Sequence, residues 1–283
     1  MPLANPIYRP QVAEGRLTLA SGSPVTVADQ TAKSTVYFSP YKGNRIALFN
    51  GVSWDTKTFA EVSVAVPGNT VTPFDIFVYD NGGTITLDAT AWTNDTTRAT
   101  AITLQDGTYV KSGATGRRYL GTGRTTSVSG ETESSVSNRF LWNYYNQICQ
   151  AMVRQEPTTS WTYNSTTARQ ANASTSNQLN FVVGVAEATI HGSIRIKAEV
   201  SLLSDVIAFI GLDGLTAVAD FTANSIPLNT GTFGVVIHEA WAKITTPGYH
   251  YLVWVEQGAP PTGTITHTYY GQSNFGMAAD ILC

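Results

Sequence analysis

The part of the sequence that most resembles a binding loop is GATGRRYLGTGRTT, at positions 113–126. Glycines, hydroxyl side chains and arginines occur together there, as in loops whose backbone amides cradle phosphate. A Walker A motif through Gly123 requires a glycine where Arg118 stands and a lysine where Arg124 stands. A dinucleotide-binding G-x-G-x-x-G motif requires a glycine where Thr126 stands, within a strand–helix unit. Neither motif is complete, so the sequence predicts no nucleotide and no cofactor.

The basic side chains of this stretch still suggest a contact. Arg117, Arg118 and Arg124 follow Lys111 at short spacing, and guanidinium groups bind carboxylates and phosphates through paired hydrogen bonds. We predict that the three arginines contact a neighbouring subunit or an anion, with simple solvation as the alternative. If the segment is a strand, Arg117 and Arg118 lie on opposite faces of it.

No set of side chains in the sequence defines a catalytic centre. The histidines form no HExxH motif and no i, i+4 pair, and no G-x-S-x-G nucleophile elbow occurs. A jelly roll can gather a metal from separate strands, and 20 acidic residues leave a pair of glycosidase carboxylates as an alternative. We nevertheless predict that the protein is not an enzyme, with no catalytic residues and no bound metal. The four histidines are His191, His238, His250 and His267.

Aromatic residues are the remaining candidates for ligand contact. Trp54 and Trp92 lie at or near the ends of strands in the first half of the chain, and an indole face packs well on a pyranose ring. For both we favour a place at the edge of the core or in a subunit interface, and a glycan contact is the other interpretation. Trp241 and Trp254 lie inside alternating strands, which favours core packing.

The composition indicates a polar surface with little charge. Charged residues make up 13% of the 283 residues, about half of the roughly 25% usual in soluble domains. Such surfaces are common in proteins that give much of their area to other chains and in sugar-binding modules. The net charge of −3 offers no long-range attraction for nucleic acid and no polybasic membrane footprint.

The sequence also favours assembly inside a cell. The longest apolar run, near positions 206–212, is far shorter than the roughly 20 residues of a membrane span. The first residues lack a basic segment followed by an apolar one, so we expect no signal peptide. Cys149 and Cys283 are then expected to be unpaired thiols formed in a reducing cytoplasm.

The first half of the chain has the turn spacing of a β protein. Positions 1–15 are rich in proline and asparagine and predict an extended arm. Asn-Gly and Asp-Gly turns at positions 50–51, 81–83 and 106–107 separate β-prone runs, as in hairpins. We therefore predict a sandwich or barrel over 16–130.

The second half predicts a further β domain, over 139–283. The low-hydrophobicity stretch SVSGETESSVSN, at 127–138, is interpreted as the boundary, and the aromatic run after it favours a strand over a helix. About eight strands follow, which suits a jelly roll, and the loop QGAPPTGT suggests a hairpin between Tyr249 and Tyr270. The predicted class is all-β, with two sandwich or barrel domains, the second jelly-roll-like.

Six segments stand out when they are taken in order along the chain. They are EGRLTLASGSPVTVAD (14–29), TVYFSPYKGNRIALFNGVSW (35–54), TPFDIFVYDNGGTITLDATAWTNDTTRATAITLQDGTYVKSGATGRRYLGTGRTT (72–126), RFLWNYYNQ (139–147), TTSWTYNSTTARQAN (158–172) and GYHYLVWVEQG (248–258). This ordered series resembles a module of virion proteins from tailed bacteriophages and prophages. No single motif is specific, and the order of the series carries the resemblance, which covers nearly the whole chain and is strongest up to about position 172.

The resemblance implies a structural, non-catalytic virion protein exposed on the particle surface and assembled in the bacterial host cytoplasm. It implies a homotrimer in the tail or adsorption apparatus, of fibre or receptor-binding type, with other virion proteins and a host-surface glycan or receptor as partners. A capsid decoration or head-fibre protein is the alternative location. A carbohydrate-binding module is the alternative of another class.

Overall fold

The computed structural model describes residues 12–217, 224–229, 233–258, 265–272 and 275–283. Most of the predicted arm, positions 1–11, lies outside the described residues. From residue 12 onward, the first half forms fourteen strands: β1 (Gly15–Thr18), β2 (Gln30–Lys33), β3 (Thr35–Pro40), β4 (Arg45–Phe49), β5 (Trp54–Thr58), β6 (Val62–Ala65), β7 (Pro73–Asn81), β8 (Thr84–Ala91), β9 (Ile102–Gln105), β10 (Thr108–Lys111), β11 (Ala114–Arg124), β12 (Thr132–Ser134), β13 (Asn138–Arg139) and β14 (Leu141–Asn143).

The second half is equally rich in strands. Its elements are β15 (Cys149–Gln155), β16 (Ser160–Thr162), β17 (Arg169–Gln170), β18 (Gln178–Val183), β19 (Thr189–Val200), β20 (Ser204–Leu212), β21 (Asn224–Leu228), β22 (Phe233–Lys243), β23 (Gly248–Gly258), β24 (His267–Tyr270) and β25 (Gly276–Leu282). The one helical element in the described ranges is a 3-10 turn at Ala171–Ala173. The all-β class is confirmed, and no described helix is long and apolar enough to cross a membrane.

The three predicted turns are confirmed as hairpin connections. β4 pairs with β5, β7 with β8, and β9 with β10, each in antiparallel register. Gly82 and Gly83 have φ values of 61° and 96°, and Asp106 and Gly107 have 51° and 79°. Two successive positive φ angles define the type I′ turn, whose twist matches that of the flanking strands.

A six-stranded sheet, here called the central sheet, contributes side chains from its middle strands to two cores. Its order is β8-β7-β11-β10-β9, and β14 pairs with β11. Phe74, Ile76 and Val78 of β7 pack into the core of the first half. Phe77, on the opposite face, packs with Tyr119 into the core of the second half. Because successive side chains of β7 point to opposite faces, this strand contributes to both cores.

The second core fills a sandwich of two larger sheets. The long sheet has eight strands in the order β2-β12-β13-β18-β23-β20-β21, with β17 on β23. The outer sheet has six, in the order β15-β25-β19-β24-β16, with β22 on β19. Apolar side chains from both sheets meet between them; examples are Phe181, Ile194, Ile210, Trp254 and Met277. Such a two-sheet packing is the arrangement predicted for this half.

The stretch 127–138, interpreted above as a domain boundary, contributes a strand to the long sheet. β12 pairs with β2 and with β13, and β13 runs parallel to β18. The long sheet thus contains strands from both halves of the chain. The division into 16–130 and 139–283 stays a prediction, because the two regions share a sheet and a core.

The strands on either side of 259–264 do not form the predicted hairpin. β23 pairs with β17, β18 and β20 in the long sheet, whereas β24 pairs with β16 and β19 in the outer sheet. Proline and glycine indicate a turn, but the residue types of a turn do not specify which strands pair on either side of it.

Candidate functional site

Three strand connections line an open groove at one end of the first half. They follow β4, β7 and β10, and they bring Gly51, Gly82 and Gly113 to its rim. The groove has a volume of about 630 Å³, within the roughly 300–1,000 Å³ of ordinary ligand sites. Gly116 of β11 permits the close approach, since a Cβ there would lie 3.2 Å from the carbonyl oxygen of Phe49.

The apolar part of the groove comes from three side chains. Leu48 is buried, and Phe49 and Tyr79 are half-buried. The ring of Phe49 lies 5.6 Å from that of Trp54, which is the first residue of the next strand. The groove therefore presents aromatic carbon to a ligand beside polar rim groups.

Arg117 is held in place at this groove. Its guanidinium carbon lies 4.0 Å from the centre of the Tyr79 ring, and its Nη1 lies 2.9 Å from Oδ2 of Asp88. Lys111 shares the same carboxylate at 2.8 Å. Because Nη1 is engaged by Asp88, Nε and Nη2 are the donors of Arg117 that suit a ligand.

The other charges of the groove are paired too. Nζ of Lys57 lies 3.0 Å from Oδ2 of Asp80, and Oδ1 of Asp80 accepts a hydrogen bond from the Gly83 amide at 2.6 Å. The hydrogen bond from Lys57 lowers the pKa of Asp80, so this group is a carboxylate at neutral pH. Asp55 accepts a hydrogen bond from the side-chain amide of Asn50 at 3.0 Å. The rim thus carries both cationic and anionic groups.

The two tryptophans considered for a glycan contact lie in different environments. Trp54 is half-buried beside the groove, and its Nε1 donates to Oδ2 of Asp106 at 3.0 Å. Trp92 is 4% exposed, and the guanidinium of Arg98 covers its ring at 4.3 Å. At 4% exposure the Trp92 ring presents no accessible face, which fits its alternative place at the edge of the core. The glycan contact of Trp54 stays a prediction.

Arg118 lies inside the chain rather than at a surface. It is 1% exposed. Its Nη1 donates to the carbonyl oxygens of Val12 and Ala47 at 2.9 and 2.8 Å, and its Nε donates to the hydroxyl of Tyr145 at 3.2 Å. Burial lowers the pKa of the guanidinium, because a charge is costly away from water. The guanidinium of Arg118 is therefore bonded to groups of its own chain and is not accessible to an anion or a neighbouring subunit.

Arg124 joins the two halves of the chain. Its Nε and Nη2 lie 2.9 and 3.2 Å from the carboxylate of Asp95, and its guanidinium lies 3.9 Å from the Tyr249 ring centre. Arg124 is buried, so the neighbour that it contacts is the second half of its own chain. Of the three arginines, the structure places only Arg117 at an accessible site, and its predicted subunit or anion contact stays a prediction.

Sequence reasoning missed a second accessible feature, on the outer sheet. Trp241 is 58% exposed, Ile237 54% and Val235 43%, all on β22. The indole of Trp241 stacks on His191 of β19 at 4.2 Å. The expectation of core packing was wrong for Trp241 and correct for Trp254, which is fully buried. The alternation of a strand shows which residues share a face, but it does not show which face meets the core. On β22 the face with Ala242 packs into the core, and the neighbouring Trp241 therefore points outward.

The histidines take structural positions. His250 pairs with Asp213, and Nε2 of His267 lies 3.1 Å from the hydroxyl oxygen of Ser204. Among the described residues, no group of three or more histidine, cysteine, aspartate or glutamate side chains is arranged to hold a metal ion.

Comparison with known proteins gives structural likenesses of low similarity. No protein-family profile and no curated protein matches the sequence. The VP2 subviral particle of infectious bursal disease virus aligns at TM-score 0.33 and 11% identity, over 90% of this chain and 65% of that chain. The insecticidal delta-endotoxin Cry8Ea1 of Bacillus thuringiensis aligns at TM-score 0.27 and 9% identity, over 95% and 52%.

A carbohydrate-binding module of the β-sandwich superfamily aligns at TM-score 0.20 and 11% identity, over 91% of this chain and 96% of that chain. These values are too low to argue a function from any of the three structures.

Proposed function

We propose that the protein is a non-enzymatic structural component of a tailed-bacteriophage virion, exposed on the particle surface. The observation that carries this proposal is the ordered series of segments between positions 14 and 258 that resembles phage virion proteins. The all-β fold and the weakly charged surface suit a particle that persists outside cells. Assembly takes place in the cytoplasm of the bacterial host, without membrane insertion and without nucleic acid as a partner.

The protein acts as a homotrimer of the tail or adsorption apparatus, of fibre or receptor-binding type. The exposed face of the outer sheet supports self-association, since Val235, Ile237 and Trp241 form an apolar strip there. Glu239 and Lys243 lie exposed on the same strand. Apolar residues flanked by both signs of charge suit a contact with another protein chain. Capsid decoration or a head fibre is the alternative position on the particle.

Two measurements test this proposal. Mass spectrometry and immunogold labelling of purified virions should find the chain on the particle, at the tail for the favoured position and at the head for the alternative. Light scattering of the purified protein should give three times the 30.4 kDa mass of one chain. A stable monomer that is absent from virions would contradict the proposal.

A pair of variants tests the outer-sheet face. Trp241→Glu places a charge in the apolar strip and should shift the trimer to monomer without unfolding it. Leu104→Glu is the matched control, because Leu104 is also 58% exposed but lies on β9 of the central sheet. If both variants remain trimeric, the outer-sheet face is not the subunit contact.

A carbohydrate-binding module is the second candidate function. The observation that favours it is the groove with Phe49 and Tyr79 in its wall and Trp54 beside it. The two functions are compatible, since a virion protein that attaches to a host can bind a host-surface glycan.

A further inference from the structure

We infer that the groove between the β4–β5, β7–β8 and β10–β11 connections binds an uncharged oligosaccharide. The inference deepens the proposed function, because it gives a surface-exposed virion protein a ligand class and a place for it. Its residues are also the ones that the carbohydrate-binding alternative requires. The groove residues that carry the argument are Phe49, Asp55, Lys57, Tyr79, Asp80 and Arg117.

The shape and the aromatic wall of the groove favour a sugar. Its volume of about 630 Å³ exceeds what a single ion needs and lies in the usual range for small-molecule sites. Phe49 supplies apolar surface of the kind on which the C–H face of a pyranose packs, and Tyr79, which has Arg117 over one face of its ring, adds apolar carbon to the wall. An open groove suits a chain of sugars, whose ends must leave the site.

The polar rim supplies both donors and acceptors. Lys57 uses one of its protons on Asp80, and Arg117 uses Nη1 on Asp88, so each keeps donors for a hydroxyl group. The carboxylates of Asp55 and Asp80 are acceptors. A sugar hydroxyl both donates and accepts, and hydrogen bonds to charged groups are stronger than those between neutral groups.

The ion pairs also fix the rim before a ligand arrives. Arg117 is stacked on Tyr79 and paired with Asp88, and Asp80 is held by Lys57 and the Gly83 amide. Side chains that are already ordered lose little conformational entropy on binding, which favours affinity.

The charge balance selects against an anionic ligand. Lys57, Lys111 and Arg117 provide three positive groups; Lys57 pairs with Asp80, and Lys111 and Arg117 share Asp88. Asp55 adds a third negative group to the lining, so these six charges sum to zero. A phosphate or a sialic acid would therefore gain little from Coulomb attraction.

The test uses the purified full-length chain and defined probes. Saturation-transfer NMR and calorimetry measure binding of the neutral trisaccharides maltotriose, globotriose and mannotriose, with sialyllactose as the anionic probe. We expect at least one neutral trisaccharide to bind more tightly than sialyllactose. Arg117→Ala should weaken it about tenfold, the effect of losing one hydrogen bond to a charged group, and Phe49→Ala should weaken it further.

The matched control is Arg195→Ala, which removes an exposed arginine from β19 of the outer sheet. It should leave the affinity unchanged. Failure of every neutral trisaccharide to bind, tighter binding of sialyllactose, or equal affinities of Arg117→Ala and Arg195→Ala would each overturn the inference. Absence of the chain from virions would overturn the proposed function instead, and leave sugar binding intact.

Discussion

Arg98 and Asp75 form a two-bonded ion pair in the region where the two halves of the chain meet. Nε of Arg98 lies 2.6 Å from Oδ2 of Asp75, and Nη2 lies 3.1 Å from Oδ1. The same Nη2 donates to the carbonyl oxygen of Gly184 at 2.5 Å. A Cβ at Gly184 would lie 1.8 Å from the hydroxyl oxygen of Tyr119, so only glycine fits there. The pair anchors the segment that follows β18 to the central sheet.

Loss of Arg98 should destabilise the protein strongly. In Arg98→Ala the carboxylate of Asp75 stays buried without its cation, and removing one partner of a buried pair costs about 3–5 kcal/mol. Urea unfolding followed by tryptophan fluorescence measures the loss. Arg45→Ala is the control, because its pair with Glu14 is solvent-exposed and should contribute little. Equal effects of the two variants would show that the Asp75 pair is not structural.

Neighbouring arginines on β11 should differ sharply in their effect on stability. Arg118→Met leaves the buried carbonyl of Ala47 without the Arg118 donor, and an unsatisfied buried group costs about 1–3 kcal/mol. Arg117→Met removes a partly exposed pair and should cost less than about 1 kcal/mol. Thermal unfolding of both variants under the same conditions makes the comparison. A larger loss in Arg117→Met than in Arg118→Met would contradict the burial seen here.

Stability should fall with rising pH because of His250. Burial opposes protonation of its imidazole, but the hydrogen bond and charge of Asp213, with the Thr246 carbonyl, outweigh burial and raise the pKa of His250. A raised folded-state pKa adds stability that is fully present below the ordinary value of 6.5 and is lost as pH rises through the folded-state value.

Asp213→Asn tests the role of that pair. The variant removes the carboxylate charge, so its free energy of unfolding should lie below that of the native chain near about pH 6, with the difference narrowing above about pH 8. Urea titrations at several pH values measure it. A difference that is constant across this range would mean that His250 does not respond to Asp213.

The two cysteines should react with thiol reagents at very different rates. Cys149 is exposed, whereas Cys283 is buried and burial raises the pKa of its thiol to about 11. At about pH 8 a disulfide reagent should label one thiol per folded chain, because the thiolate is the reacting species.

Single substitutions identify the reactive thiol. Cys149→Ser should abolish the fast labelling, and Cys283→Ser should leave it unchanged. Denaturant should release the second thiol in the native chain. Rapid labelling of both cysteines without denaturant would contradict the burial of Cys283.

The local part of the fold was predictable from the sequence because turn chemistry is local. Asn81, Gly82 and Gly83 identified the β7–β8 connection, and Asp106 with Gly107 identified β9–β10, since few residues adopt positive φ at low cost. The pairing of β13 with β18 joins segments that are far apart in sequence. The packing of the central sheet between two cores does so too. No pattern within either segment specifies such a partner.

The candidate site was predictable only in part, for a similar reason. Arg117 and Trp54 were identified by residue type, but Arg118 and Trp92 have the same types and are buried. Which of two adjacent arginines reaches water depends on the packing of β11 against its neighbours. The groove itself requires three connections to converge, and Tyr79 becomes a site residue only through that convergence.

The packing of the central sheet against two cores also has a consequence for folding during translation. A ribosome completes the strands that carry Phe77, Tyr119 and Trp142 before it synthesises β18 and the strands beyond it. During that interval one face of the sheet has no partner from its own chain. Nascent chains on the same messenger, or a chaperone at the exit tunnel, meet an apolar surface for as long as translation of the second half takes. We therefore expect the speed of synthesis to affect yield separately from the stability of the finished protein.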